Sequence, residues 1–168
     1  SDPHATSVTV DGNRLETLET GKGRLAAILD LIDKAEDSLR VIFYIFASDE
    51  AGTQVRDALV RAARRGVVVR LLLDGYGSSD TDARFFQPIA DAGGAFCMFL
   101  PRYGRRYLIR NHQKLVIADE RRAIIGGANV ETAYLTDEGD NYWRDLWVLI
   151  EGSACVPASR SRRHWASS

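Results

Sequence analysis

Between residues 23 and 100 the chain alternates helix-period segments with strand-length apolar runs, and this alternation leaves few architectures open. Residues 23–37 place Leu25, Ile28, Leu29, Ile32 and Ala35 at helical spacing. Residues 39–47 are β-branched and aromatic with almost no polar break, the pattern of a strand buried on both faces. Helical spacing returns over 51–65 through Val55, Ala58, Leu59 and Ala62, and Gly66 is placed to end it. Residues 67–73 read as a second buried strand, 81–92 as a helix weakened by Pro88, and 94–100 as a third strand. Strand–helix–strand–helix–strand predicts a parallel sheet covered by helices.

Around this centre, residues 6–10 read as a short strand followed by a turn at 11–13. Residues 101–110 form an irregular, strongly basic loop. Two β-rich pieces come next, 114–118 and 123–125, joined by a link short enough for a hairpin. A short helix is expected over 129–135 and a last strand over 142–150. The expected fold is therefore α/β, with a mixed, largely parallel sheet flanked by helices. Its domain spans residues 5–152, and residues 153–168, rich in Ser and Arg and without a period, are expected to be a disordered tail.

Length and charge narrow the function classes. At 168 residues the chain is the size of one compact domain. Its 22 basic and 23 acidic side chains leave a net charge of −1, which argues against a chain built to coat nucleic acid but leaves room for a local basic patch. Cys97 and Cys155 are too few for a disulfide framework or a zinc site and read as plain small residues. The longest apolar runs are strand-length and no signal peptide is visible, so a cytoplasmic or peripheral-membrane protein is expected.

His112 and Lys114 stand two apart at the start of a strand, so both side chains point to one face. The ammonium offers fixed positive charge to a phosphate oxygen, and the imidazole, titrating near neutrality, can act as nucleophile or proton carrier. Such a pair alone is a weak signal. The spacing beyond Lys114 is specific: Asp119 after four intervening residues, Gly126 and Gly127 after six more, then Asn129.

With these residues the sequence resembles the phospholipase D superfamily, whose signature is His-x-Lys-x4-Asp-x6-Gly-Gly/Ser followed by Asn. Further matches cover roughly residues 13–152 and look like the amino-terminal half of bacterial cardiolipin synthases, which are phosphatidyltransferases. They include Tyr44 to Phe46 with Asp49 and Gly52, Ala62 to Gly66, Leu73 to Gly75, Arg110 to His112, and Tyr142 to Asp145 running to Gly152. The resemblance implies that Nε2 of His112 attacks phosphorus to form a phosphohistidine, while a second histidine handles the protons of leaving and incoming oxygens. Lys114 and Asn129 would neutralise the non-bridging oxygens, and Gly126 and Gly127 would let the backbone approach the phosphate. No metal or cofactor is required.

Attack through Nε2 needs an acceptor for the Nδ1 proton. The resemblance implies a carboxylate after the motif, which Asp145 matches better than Asp140. Asp119 completes the motif, but at a hairpin turn it reads as a loop stabiliser before a catalytic group. The loop carrying Arg102, Arg105, Arg106 and Arg110 suits an anionic head group or a polynucleotide backbone, with Tyr103 and Tyr107 available for stacking; a solvated loop fits it as well. Asp74 to Gly77, at the carboxyl end of a strand, is a weaker candidate for the pocket wall. Trp143 and Trp147 straddle Asp145 at spacing two and share its face.

The chain holds one His-x-Lys, whereas cardiolipin synthases carry two; His4 and His164 do not make a second. Two copies of His112 across a homodimer axis, or the missing half of a longer protein, would complete the site. The expected substrate is a phospholipid head group such as phosphatidylglycerol, with possible membrane contact from the surface. The alternatives are a dimeric single-motif nuclease and a non-catalytic half-domain that pairs with another polypeptide.

Overall fold

The computed structural model describes residues 6–74, 81–99, 114–127, 129–137 and 145–155. They form one eight-stranded sheet in the order β1-β2-β8-β7-β6-β3-β4-β5. The strands are β1 (Ser7–Val10), β2 (Asn13–Leu18), β3 (Ser38–Phe43), β4 (Val68–Asp74), β5 (Ala95–Phe99), β6 (Lys114–Ala118), β7 (Arg122–Gly126) and β8 (Trp147–Glu151). The helices are α1 (Gly21–Asp33), α2 (Glu50–Arg64), α3 (Gln87–Asp91) and α4 (Thr132–Leu135). Among the described residues no helix is long and apolar enough to cross a membrane.

The sheet is mixed and carries helices, as the sequence predicts, but its parallel share is smaller. Only β3–β4 and β4–β5 pair in parallel. The other five pairings are antiparallel. The correction has a simple origin: the two helical crossovers build one half of the sheet, and hairpin-connected strands build the other. β2 escapes the sequence reading because NRLETL puts charge at Arg14 and Glu16 and leaves only Leu15 and Leu18 as large apolar residues.

The starts of three helices have a sequence reason. Thr20 accepts from the Gly23 N–H at 3.0 Å and caps α1; Asp49 accepts from Gly52 N–H at 2.9 Å and caps α2. Pro88 sits in the first turn of α3, where its missing N–H costs nothing, so the expected single helix becomes a 3-10 turn (Ala83–Phe85) followed by α3. Ile28, Leu31 and Ile32 of α1 and Val55, Ala58 and Leu59 of α2 are buried with Leu39, Val41 and Phe43 of β3 and Val69, Leu71 and Leu73 of β4. Phe43, Phe46, Phe85 and Phe86 extend this core through edge-to-face contacts at 5.1–6.3 Å.

The opposite sheet face departs from expectation. β3 and β4 alternate rather than being buried on both sides, with Val68 53% and Leu72 41% exposed. Ile125, Val8 and Val10 are also exposed. A continuous apolar run reports affinity for cover on both sides, not which side the described helices occupy.

The β6–β7 hairpin turns through Asp119 and Glu120, both left-handed at φ 54° and 55°, with Arg121 N–H donating to Ala118 O at 3.0 Å. The Asp119 carboxylate accepts from the backbone N–H groups of Glu36 (3.0 Å), Asp37 (2.7 Å) and Ser38 (2.9 Å), which lead into β3. Burial works to raise this carboxyl, but the three donors and Arg122 outweigh it and hold it below the usual carboxylate range. Asp119→Ala should therefore cost about 2 kcal/mol by urea unfolding at neutral pH. Because the folded group titrates lower than the unfolded one, its charge-dependent stabilisation is complete above the unfolded pKa and disappears as pH falls through the folded pKa. The gap between wild type and Asp119→Asn should accordingly close as pH falls below the ordinary carboxylate range; a gap independent of pH would reject a charge-based brace.

Past β8, Ser153–Cys155 form a 3-10 turn in which Cys155 is buried and Ala154 N–H donates to Asn13 Oδ1 at 2.8 Å. The remainder of the expected tail, residues 156–168, lies outside the described residues.

Candidate active site

β6 runs antiparallel to β3, so its first residue lies at the carboxyl ends of the parallel strands, where open α/β sheets commonly place ligands. That residue is Lys114. Its cross-strand partner is Gly126, and the next residue along the row is Trp147. All three positions face the helix-covered side. Lys114 is only 7% exposed, with its Nζ 5.8 Å from the centroid of the Tyr44 ring. Burial pushes its ammonium below the ordinary lysine range, and the Asp145 carboxylate opposes that push.

The two glycines make room for this arrangement. A Cβ on Gly126 would run into the Trp147 indole, and one on Gly127 would stand 2.8 Å from Asp145 Oδ2. Gly126 thus lets the indole lie across β7 beside Lys114, and Gly127 admits the carboxylate close to the backbone. Asp145 Oδ1 also accepts from Leu146 N–H at 2.7 Å, which fixes the carboxylate against its own chain. Trp147 is 1% exposed, packs 6.4 Å from Phe43, and its Nε1 has no hydrogen-bond partner among the described residues.

Asn129 belongs to the same edge. The residue after it bridges Phe46: Ala47 N–H donates to Val130 O at 2.8 Å and Val130 N–H to Ile45 O at 3.1 Å. This docks the segment beyond β7 against the end of β3. The Asn129 side chain is buried, and its Oδ1 has no partner among the described residues. Such an orphan is costly unless a ligand or another group satisfies it.

Lys114, Gly126, Gly127, Asn129 and Asp145 therefore lie at one end of the sheet's strands. Asp119 does not. It stands at the far end of β6, about 17 Å of strand from Lys114, where it braces a loop. His112, Arg106, Arg110, Asp140 and Trp143 lie outside the described residues, as do Gly75 to Gly77 and the basic loop. Two nearby groups escape the sequence reading. The Tyr134 phenol is raised by burial and by the Glu131 and Asp145 carboxylates, and Glu131 is raised by burial and by Asp49. Neither belongs to a recognisable spacing, and only the fold brings α4 to Asp145.

Residues 28–153 match the family described as cardiolipin synthase, PLD-like domain. The chain belongs to this family. The major cardiolipin synthase ClsA of Bacillus subtilis is 36% identical over 153 residues, which are 88% of this chain and 32% of that protein. This PLD-like domain thus spans about a third of the length of that relative. Among solved structures, the phospholipase D family member Nuc from Salmonella typhimurium superposes with a TM-score of 0.61 at 23% identity, covering 91% of both chains. Phosphatidylserine synthase from Haemophilus influenzae gives a TM-score of 0.68 at 19% identity, over 89% of this domain and 35% of that chain. Both support the phospholipase D fold for the PLD-like domain.

Proposed function

We propose that this PLD-like domain supplies one half of the active site of a phosphatidyltransferase, acting on a phosphodiester head group such as that of phosphatidylglycerol. The observation that carries the reading is Lys114: a nearly buried ammonium in the field of the Asp145 carboxylate, at the end of the sheet where two glycines let Trp147 and Asp145 pack against the backbone. A cation held there without full ion pairing is suited to a non-bridging phosphate oxygen.

In the proposed step, the Nε2 lone pair of His112 forms a P–N bond as the bond from phosphorus to the leaving alcohol oxygen breaks. A second histidine gives its proton to that oxygen. It then takes a proton from the incoming alcohol, whose oxygen displaces His112 and restores a phosphodiester. The second histidine comes from a second copy of the chain or from the rest of a longer protein. Lys114 holds charge on the phosphate, Asn129 orients it, and Asp145 accepts a hydrogen bond from Nδ1–H of His112. Arg106 and Arg110 contact the anionic head group at a membrane surface.

Incubation with phosphatidylglycerol vesicles and, separately, with single-stranded DNA tests this. The expected result is glycerol release with formation of cardiolipin or, with water as acceptor, phosphatidic acid, and intact DNA. Cleavage of DNA alone would favour the nuclease reading, for which the single motif and the basic loop speak. Turnover of neither by a monomer in light scattering would leave a non-catalytic half-domain.

A further inference from the structure

We infer that Asp49 is a positioning residue for Asn129: its carboxylate ties the start of α2 to the segment that carries Asn129 to the phosphate site. The inference rests on the phosphodiester reading of that site. Asp49 Oδ1 accepts from Gly52 N–H at 2.9 Å, the ordinary helix cap. Its Oδ2 reaches 83 residues along the chain to accept from Thr132 N–H at 2.6 Å. Thr132 returns the contact, its Oγ1 accepting from Ala51 N–H at 3.3 Å. A cap needs one oxygen, and here the second is committed elsewhere.

The tie completes a frame around Asn129. Val130, directly after it, is hydrogen-bonded through both its N–H and its carbonyl to the chain at Ile45 and Ala47. Two residues further on, Thr132 is held by Asp49. The Ile45–Ala47 stretch is itself fixed: Thr81 Oγ1, buried, donates to Phe46 O at 2.8 Å. Gly52 packs so closely on the Ala47 carbonyl that no Cβ could fit. Residues 45–52 form a rigid bracket that grips the chain at Val130 and again at Thr132. A side chain at the end of a strand, beyond the last ladder bond of β7, has little else to set its direction. Placement of that side chain to within about 0.5 Å is what a phosphate-binding amide requires.

Two variants separate this role from plain helix capping. Asp49→Asn keeps one acceptor oxygen for Gly52 and turns an N–H group towards Thr132. Thr132→Pro keeps the Asp49–Gly52 cap bond of α2 while it removes the N–H donated to Asp49, together with the hydroxyl that accepts from Ala51 N–H. Thr132 is the first helical residue of α4 and Glu131 before it is extended (φ −147°, ψ 149°), so proline fits both positions. The readout is the Asn129 side-chain amide in 15N–1H spectra, with Asn13 as the remote control, before and during titration with inorganic phosphate. In both variants the ligand-free Asn129 signal should shift or broaden while Asn13 stays in place, and phosphate should bind about tenfold more weakly. An unchanged ligand-free Asn129 signal in Thr132→Pro, in a folded protein, overturns the inference. If phosphate fails to move Asn129 in the wild type, the phosphodiester reading fails instead, and the tie is still decided by the ligand-free spectra.

Discussion

Turnover of phosphatidylglycerol should fall by about 10⁴-fold or more when His112 is replaced by alanine, and no phosphoenzyme should be trapped. The chemistry available at the site edge is the reason. Lys114 can attract a phosphate but, as an ammonium, has no lone pair to offer phosphorus, and burial lowers its pKa only against the opposing field of Asp145. Asp145 faces Gly127 with one oxygen already taken by Leu146 N–H. The imidazole two residues before Lys114 is the nucleophile proposed above. Quenching in alkaline detergent after brief exposure to 32P-labelled substrate should give an adduct, stable in base and lost in acid, in the wild type alone. A phosphate adduct of the same lability in His112→Ala would reject the assignment, and partial activity without an adduct would point to direct attack by water.

Asp145→Asn should lower the rate by about 10²–10⁴-fold with little change in substrate binding, because an amide cannot reliably hold Nδ1–H and so no longer enforces the tautomer. The variant has a second, separable consequence. The Asp145 carboxylate supports the charge on Lys114 against burial, so its loss should let the lysine pKa fall further. Since the ammonium is the useful form, the alkaline limb of the pH–rate profile should move to lower pH. A shifted limb with a normal plateau would assign Asp145 to Lys114 alone. A depressed plateau assigns it to the histidine as well. An unchanged profile would remove it from the site and return attention to Asp140.

Much of the architecture is legible in the sequence because local signals and burial agree. The periodic segment 51–65 locates α2 to within a residue at each end, and its apolar spacing matches the face it buries. The β6–β7 hairpin is visible in two apolar pieces and a short polar link, although the mirror-image turn through Asp119 and Glu120 lacks the glycine such turns favour. The sequence misleads where the deciding fact is non-local. β3 and β4 read as doubly buried, and only the arrangement of the helices shows which side they cover. β2 is invisible because its place between β1 and β8 is set by its partners rather than by its composition.

The site shows the same division. Spacing points to Lys114, Gly126, Gly127 and Asn129 because motif positions on neighbouring strands meet through register, and register is regular. Asp49 enters the sequence reading only as part of a resemblance; its grip on Thr132 spans 83 residues and leaves no periodic trace. Resemblance alone favours Asp145 over Asp140: the structure puts Asp145 beside Gly127, and Asp140 lies outside the described residues.

The interval between Lys114 and Asp119 is a ruler made of backbone. Its four intervening residues carry the chain from the Lys114 end of the sheet to the brace at the entrance of β3, with Val116 and Ala118 filling the core between. One inserted residue would reverse the parity of everything before it, swinging the lysine to the far side of the sheet while leaving the brace in place. One deleted residue would do the same. The length of the motif is thus dictated by pleat and span, and a chain could keep every chemical group in the signature and still lose its purpose by a miscount of one.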